Sequence, residues 1–129
     1  MDLGSLDTSK KSSEGAVMIL NHPETLLPLD ADKDGKKVEM FIKLLGRDSR
    51  EFMSASQSIN RASLDDGADL ALLSAASITV GGLVFMDGKW LEITPKNAVD
   101  VYTRCRWIVE QVTTFALDRA NFFPDTKTA

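Results

Sequence analysis

The chain has 129 residues, of which 43% are hydrophobic and 26% charged, enough for one domain with a modest core. The net charge of -4 argues against nucleic-acid binding through charge alone, and no apolar run approaches the ~20 residues that span a bilayer. The chain has a single cysteine, which excludes an internal disulfide and fits a reducing cytoplasm. It also has a single histidine, so it has too few ligands for a conventional zinc site.

The ends of the chain differ in composition from the middle. Residues 1–15 are small and polar and contain no apolar segment of the kind found in secretory signals, so they predict a flexible N-terminal arm. Residues 16–123 predict a single domain, and residues 124–129 a loose C-terminal tail. We see no internal repeat.

Three runs typical of strands follow the arm, at residues 16–20, 25–29 and 37–45. The third is the clearest, because Val38, Met40, Ile42 and Leu44 alternate with more polar neighbours. Turn-forming residues separate the runs, including a turn at 30–35. The pattern indicates an antiparallel β-meander.

Two helices are predicted after the meander. Asp48, with an acid three residues later, gives a capping box that opens the first, which carries Phe52 and further apolar residues along one side. Acids at 65–66 start the second. Its sequence is apolar almost all round, so we expect Leu72 and Leu73 to be buried, and the glycine pair at 81–82 to end the helix.

A hairpin and a last helix complete the predicted fold. Asp87-Gly88 stands between two short runs of β-formers, which predicts a type I′ turn with positive φ at both positions. Thr94 can cap the helix that follows, and Pro95 suits its first position. The expected fold is α+β: a small antiparallel β-meander and a β-hairpin packed with three helices.

The last helix contains the candidate interaction residues. Its apolar arc includes Val101, Cys105 and Ile108, whereas Trp107 projects into the charged side near Gln111, with Phe115 and Phe122 at the edge of that side. Two interpretations follow for the tryptophan. Either the helix bends near residues 104–107 and the ring points inward, or the ring anchors a protein partner.

Other chemical motifs favour structural roles. Residues 30–35 match the first half of a calcium loop, but Phe41 occupies the position of the bidentate glutamate, so a plain turn is preferred. His22 is interpreted as a turn residue and Cys105 as a small buried hydrophobe. No catalytic, cofactor-binding or metal-binding residues are predicted.

Four motifs follow one another in the last third of the chain: Asp87-Gly88, Thr94-Pro95-Lys96-Asn97-Ala98, Trp107 with Gln111, and Arg119-Ala120-Asn121-Phe122. Their order resembles that of the tail assembly chaperones of long-tailed phages, in which a D-G-like hairpin precedes a T-P-x-N-A helix start, a W-x-x-x-Q helix and an R-A-N-F ending. Weaker echoes lie at His22-Pro23-Glu24-Thr25 and Gly46-Arg47-Asp48-Ser49, so the resemblance covers roughly residues 17–123. One departure is Gly81-Gly82, where members often carry a tryptophan.

The resemblance implies a non-enzymatic protein that acts during virion morphogenesis. Its expected partners are the tape measure protein and the tail tube protein, together with copies of itself and a frameshifted longer form; neither nucleic acid nor membrane is expected. Its expected location is the host cytoplasm, and it should be absent from the mature virion. The alternative is a structural virion component, such as a tail-completion or head–tail connector subunit.

Overall fold

A computed structural model describes residues 3–54 and 70–123, and within these ranges the fold is α+β, as predicted. Four strands form an antiparallel sheet in the order β1-β4-β5-β6, and β2 and β3 form a separate two-stranded sheet. The strands are β1 (Ala16–Ile19), β2 (Asp30–Lys33), β3 (Lys36–Glu39), β4 (Phe41–Leu44), β5 (Thr79–Met86) and β6 (Lys89–Glu92).

Helices cover one face of the larger sheet and one of its ends. They are α1 (Ser9–Glu14), α2 (described over residues 50–54), α3 (Leu70–Ser77), α4 (Ala98–Arg104) and α5 (Trp107–Leu117), with 3₁₀ turns at Leu3–Leu6 and Arg119–Phe122. The rest of the first predicted helix, the acids at 65–66 that were expected to start the second, and the predicted tail at 124–129 lie outside the described residues.

The core lies between the large sheet and helices α3, α4 and α5. Alternate residues of β1 and β4 point into it, and both Ile42 and Leu44 are fully buried. The helices contribute Val101, Ile108 and Val112 among others, so the predicted burial of Val101 and Ile108 is confirmed. The alternation predicted for residues 37–45 is therefore correct, although the run divides at Met40 between the two sheets.

Both hairpins turn through an Asp-Gly pair. Asp87 and Gly88 have φ of 56° and 81°, which confirms the predicted turn type between β5 and β6. Asp34 and Gly35 have φ of 53° and 83° and join β2 to β3 in the same way. The preference for a plain turn over residues 30–35 is therefore only partly right, since Asp30–Lys33 is a strand. The predicted strand at 25–29 is wrong, because only Pro28 makes an isolated bridge.

The N-terminal residues differ from the flexible arm that was expected. Within residues 3–15, α1 packs against the body of the domain: Ser12 is fully buried, and its carbonyl accepts a 3.0 Å hydrogen bond from the Gly46 amide. A Cβ on Gly46 would lie 2.4 Å from the Ser12 hydroxyl oxygen and 2.8 Å from the Phe122 ring. Only glycine permits this close approach. The packing of α1 against the domain therefore orders the segment despite its polar composition.

The first predicted helix is capped differently from the expectation. The Ser49 hydroxyl oxygen, rather than Asp48, accepts a hydrogen bond from the Phe52 amide (3.1 Å). Asp48 instead accepts from Thr8 and makes a bidentate pair with Arg119 at 2.9 and 3.0 Å. The capping-box interpretation of Asp48 is therefore wrong, because long-range partners take its carboxylate.

Helix α3 and the glycine pair also correct the prediction. Leu72 is 6% exposed, whereas Leu73 is 46% exposed, so α3 buries one face rather than its whole surface. The glycines lie inside β5 instead of ending the helix. A Cβ on Gly82 would lie 2.6 Å from the Phe41 carbonyl oxygen on β4, so close strand packing explains that glycine.

The last predicted helix is broken in two. Cys105 has φ -122° and ψ 69°, which separates α4 from α5. Thr94 and Asn97 form a reciprocal cap before α4: the Thr94 amide donates to the Asn97 side chain (2.8 Å), and the Asn97 amide donates to the Thr94 hydroxyl (3.3 Å). The break changes the direction in which every side chain of α5 points.

Candidate functional site: a groove beside an edge strand

A groove lies between strand β1 and helix α5. Its volume is about 510 Å³, within the range of ligand-binding sites. Among the described strands β1 is at the edge of its sheet, so one wall of the groove is a side of the sheet that no described strand covers. The lining residues are Met18, Ile19 and Asn21 from the strand side, and Glu110, Gln111, Thr114, Phe115, Asp118 and Asn121 from the helical side.

The backbone of β1 divides its hydrogen-bonding groups between two sides. In the register with β4, Leu20 pairs with Met40, and the Leu20 amide donates to the Met40 carbonyl at 3.0 Å. Antiparallel pairs alternate along a ladder, so the even-numbered residues of β1 bond to β4 and the odd-numbered ones point outward. The outward groups belong to Val17, Ile19 and Asn21.

Of these three residues, Asn21 has hydrogen-bond partners for its outward backbone groups among the described residues. Its amide donates to the Gln111 side-chain oxygen at 3.1 Å, and its carbonyl accepts from the Gln111 side-chain nitrogen at 2.8 Å. The side-chain amide of Gln111 thus makes the pair of bonds that a neighbouring strand would make. Within the described ranges, no hydrogen bond outside the β4 ladder involves the backbone of Val17 or Ile19.

The groove is acidic on its helical side. Glu110 and Asp118 both line it, and no lysine or arginine is among the described residues that do. The Asp118 carboxylate accepts a 3.0 Å hydrogen bond from the Ala120 amide at the start of the second 3₁₀ turn, which fixes its position at the end of α5. Carbonyl groups at a helix C-terminus add further negative partial charge there. A cationic ligand group would be favoured at this end.

The four predicted interaction residues do not share one exposed edge. Gln111 and Phe115 line the groove, but Phe122 is fully buried beneath it and meets Phe115 edge-to-face at 5.7 Å. Trp107 lies elsewhere, half-buried against the core. The helical projection placed Phe122 at an edge because it assumed one helix, whereas Phe122 belongs to the 3₁₀ turn beyond α5.

Trp107 follows the inward interpretation. The break at Cys105 turns the ring toward a second, smaller cavity of about 140 Å³, lined by apolar residues such as Leu20, Met40 and Val84. Cys105 is half-buried beside it and packs on the core. The bend that was one of two interpretations is therefore present, and Trp107 is part of the interior side of the domain.

His22, the single histidine of the chain, has structural contacts. The His22 ring nitrogen Nδ1 accepts from the Glu24 and Thr25 amides at 3.1 and 3.3 Å, which confirms its interpretation as a turn residue. In residues 3–54 and 70–123, no three His, Cys, Asp or Glu side chains are grouped so that they could hold a metal ion.

Of the described ionisable groups away from the groove, Asp48 and Tyr102 have the large shifts in pKa. Hydrogen bonds from Arg119 and then from Thr8 lower the pKa of Asp48 to about 2, so this carboxylate stays charged in moderate acid. Burial raises the pKa of Tyr102 to about 12. The Tyr102 and Thr79 hydroxyl oxygens are 2.6 Å apart, and because Thr79 donates to the Ala75 carbonyl (2.8 Å), Tyr102 is the donor between them.

Comparison with known proteins adds no relative: no family model, curated protein or solved structure matches this chain. Among the described helices, none is both long and apolar enough to cross a membrane.

Proposed function

We propose that this is a non-enzymatic binding protein, a phage tail assembly chaperone that binds the tape measure protein and helps to recruit tail tube subunits. In this proposal it acts in the host cytoplasm, associates with copies of itself or with a longer frameshifted form, and leaves before the virion is complete. The order of motifs along residues 17–123 supports the assignment.

The groove is the observation that supports binding most directly. It brings together Gln111 and Phe115, two of the residues predicted to contact a partner, with the exposed edge of β1. Val17 and Ile19 on that strand are 53% and 37% exposed, so two aliphatic side chains lie exposed along this edge. A half-buried aromatic ring, flanked by polar groups and by a free strand edge, is a common design for holding another polypeptide.

Co-expression with the tape measure protein of the same genome tests the proposal. Thr114 is exposed and lines the groove, whereas Thr113, also exposed and on the same helix, does not. We expect Thr114→Arg to reduce co-purification at least ~10-fold by filling the groove, and Thr113→Arg to leave it unchanged. Failure of the unsubstituted protein to co-purify with the tape measure protein would overturn the proposal.

The structural virion component is separated by a second measurement. Mass spectrometry of purified virions should find the tail tube and tape measure proteins but not this chain. Its presence at stoichiometric levels would establish the virion-component alternative. A very long open reading frame next to the gene would support the chaperone role.

A further inference from the structure

The free edge of β1 and the wall of α5 together form a slot for one extended chain. We propose that a partner segment binds there by strand addition, pairing with the outward backbone groups of Val17 and Ile19, and that this segment alternates basic and apolar residues. The inference rests on the proposed binding role and specifies how the partner is held.

Backbone geometry supports strand addition. Val17 and Ile19 each direct an amide and a carbonyl away from β4, at the spacing that an antiparallel or parallel neighbour requires. Gln111 already supplies the same pair of bonds to Asn21, which shows that the outer side of this edge accepts strand-like partners. An added strand would begin next to the side-chain amide of Gln111 and would continue along Ile19 and Val17.

The two faces of the slot determine the sequence of the occupant. Side chains of an added strand alternate between the helix side and the outer side of the sheet. On the helix side they meet Glu110 and Asp118, with no basic residue among the lining groups. On the outer side they lie beside the exposed Val17 and Ile19. Lysine or arginine toward the helix and an aliphatic residue toward the outer side match both faces.

Helix α5 also limits the occupant to a single segment. Gln111 holds α5 directly against the end of β1, and the Arg47 amide donates to the Ala116 carbonyl at 3.0 Å, which fixes the other end of the helix near the end of β4. The wall that results stands along the outer side of β1, where an added strand would lie. A second copy of the domain adding its own β1 would have to place its helix in the same space.

Hydrogen exchange with a defined peptide tests this mode. The probe is a seven-residue peptide of alternating lysine and valine with blocked ends. We expect the amides of Val17 and Ile19 to exchange freely in the protein alone and to slow at least ~10-fold at saturating peptide, as newly bonded amides do. The Met18 amide, which bonds to β4, should be slow in both states. Unchanged exchange at Val17 and Ile19 with peptide bound would overturn the proposal.

Chemical variants of the peptide separate strand pairing from charge attraction. N-methylation of alternate residues removes the donors that would pair with β1, and should weaken binding at least ~10-fold, as expected for two or three lost hydrogen bonds. A peptide alternating glutamate and valine should also bind at least ~10-fold more weakly. Equal affinity of the N-methylated peptide would show binding by charge alone and contradict strand addition.

A substitution in the protein provides the reciprocal test. Val17→Pro removes one outward amide but no bond to β4, whereas Val17→Thr keeps the amide and the branched shape. Only the proline variant should lose binding of the peptide, by ~5-fold or more for one lost bond. If the tape measure protein still co-purifies with a proline variant that has lost the peptide, the chaperone role stands and strand addition fails. If the unsubstituted protein binds the peptide but not the tape measure protein, strand addition stands and the chaperone role fails. A proline variant that still binds the peptide as tightly as the threonine variant overturns strand addition, and so does a dimer that forms through β1 without peptide.

Discussion

The side-chain amide of Gln111 pairs with both backbone groups of Asn21, a residue 90 positions earlier in the chain. The contact joins the last helix to the end of the edge strand. It satisfies a half-buried amide and carbonyl that the sheet itself leaves unpaired. One side chain therefore sets where the free edge of β1 begins.

Replacing Gln111 should destabilise the domain. Gln111→Ala leaves the amide and carbonyl of Asn21 without partners in a partly buried position, and should lower the free energy of unfolding by about 1–3 kcal/mol. Urea denaturation followed by circular dichroism measures the change. Thr113→Ala on the same helix is the control and should have little effect; an equally small effect of Gln111→Ala would mean that water replaces the amide.

Trp107 should behave as a packing residue. Its ring is half-buried against the core, so Trp107→Ala should lower the free energy of unfolding by roughly 2–3 kcal/mol, below the 3–5 typical of a fully buried ring. Trp107→Phe keeps an aromatic ring there and should cost less. A Trp107→Ala protein that melts normally but fails to bind the tape measure protein would restore the interpretation of this residue as a partner anchor.

The two neighbouring leucines of α3 offer a matched pair. Leu72→Ala should cost about 2–5 kcal/mol, because it leaves a cavity in the core. Leu73→Ala removes a side chain that is 46% exposed and should cost less than ~1 kcal/mol. Chemical denaturation of both variants checks the orientation of α3, and equal losses would show that the helix is rotated.

Tyr102 allows a test of burial by pH. It is the single tyrosine of the chain, so its absorbance change on ionisation is unambiguous. Because its pKa is raised from 10.0 to about 12 in the folded protein, the unfolded chain releases this proton first. The contribution to stability is therefore complete below pH 10.0 and falls as the pH rises toward 12. An ultraviolet titration with its midpoint at the ordinary value, while the circular dichroism stays native, would contradict the burial.

Calcium should leave the domain unchanged. Asp30 and Asp32 lie on a strand and Asp34 in a tight turn, and Phe41 stands where the loop motif needs a bidentate glutamate. Addition of millimolar calcium should therefore not move the melting temperature, with magnesium as the control for ionic strength. A rise specific to calcium would show that the carboxylates of this hairpin bind the ion together.

Local patterns in the sequence predicted local structure well. The alternation around Ile42 and the Asp87-Gly88 turn need only neighbouring residues, and both are as expected. The position of Trp107 was ambiguous because a helical projection assumes an unbroken helix, and nothing in the local sequence marks Cys105 as a break. The N-terminal segment was misjudged for a related reason: its order depends on Gly46, which is distant in sequence.

The sequence indicated one of the two walls of the groove. Gln111 and Phe115 were singled out from the last helix, but their partner wall is β1, and pairing between segments some 90 residues apart leaves no local signal. The free side of β1 could be identified only from the strand order. Sequence reasoning found the helical side of the groove and missed the strand side.

Ser12 and Phe122 both pack against Gly46, so the beginning and the end of the described chain meet at this residue. Deletion of α1 would expose Phe122 to solvent, and deletion of the second 3₁₀ turn would expose Ser12. The two terminal segments are therefore thermodynamically coupled, and the cost of deleting both should be smaller than the sum of the separate costs. Since Phe122 also packs beneath Phe115, the floor of the groove depends on residues that begin more than a hundred positions away.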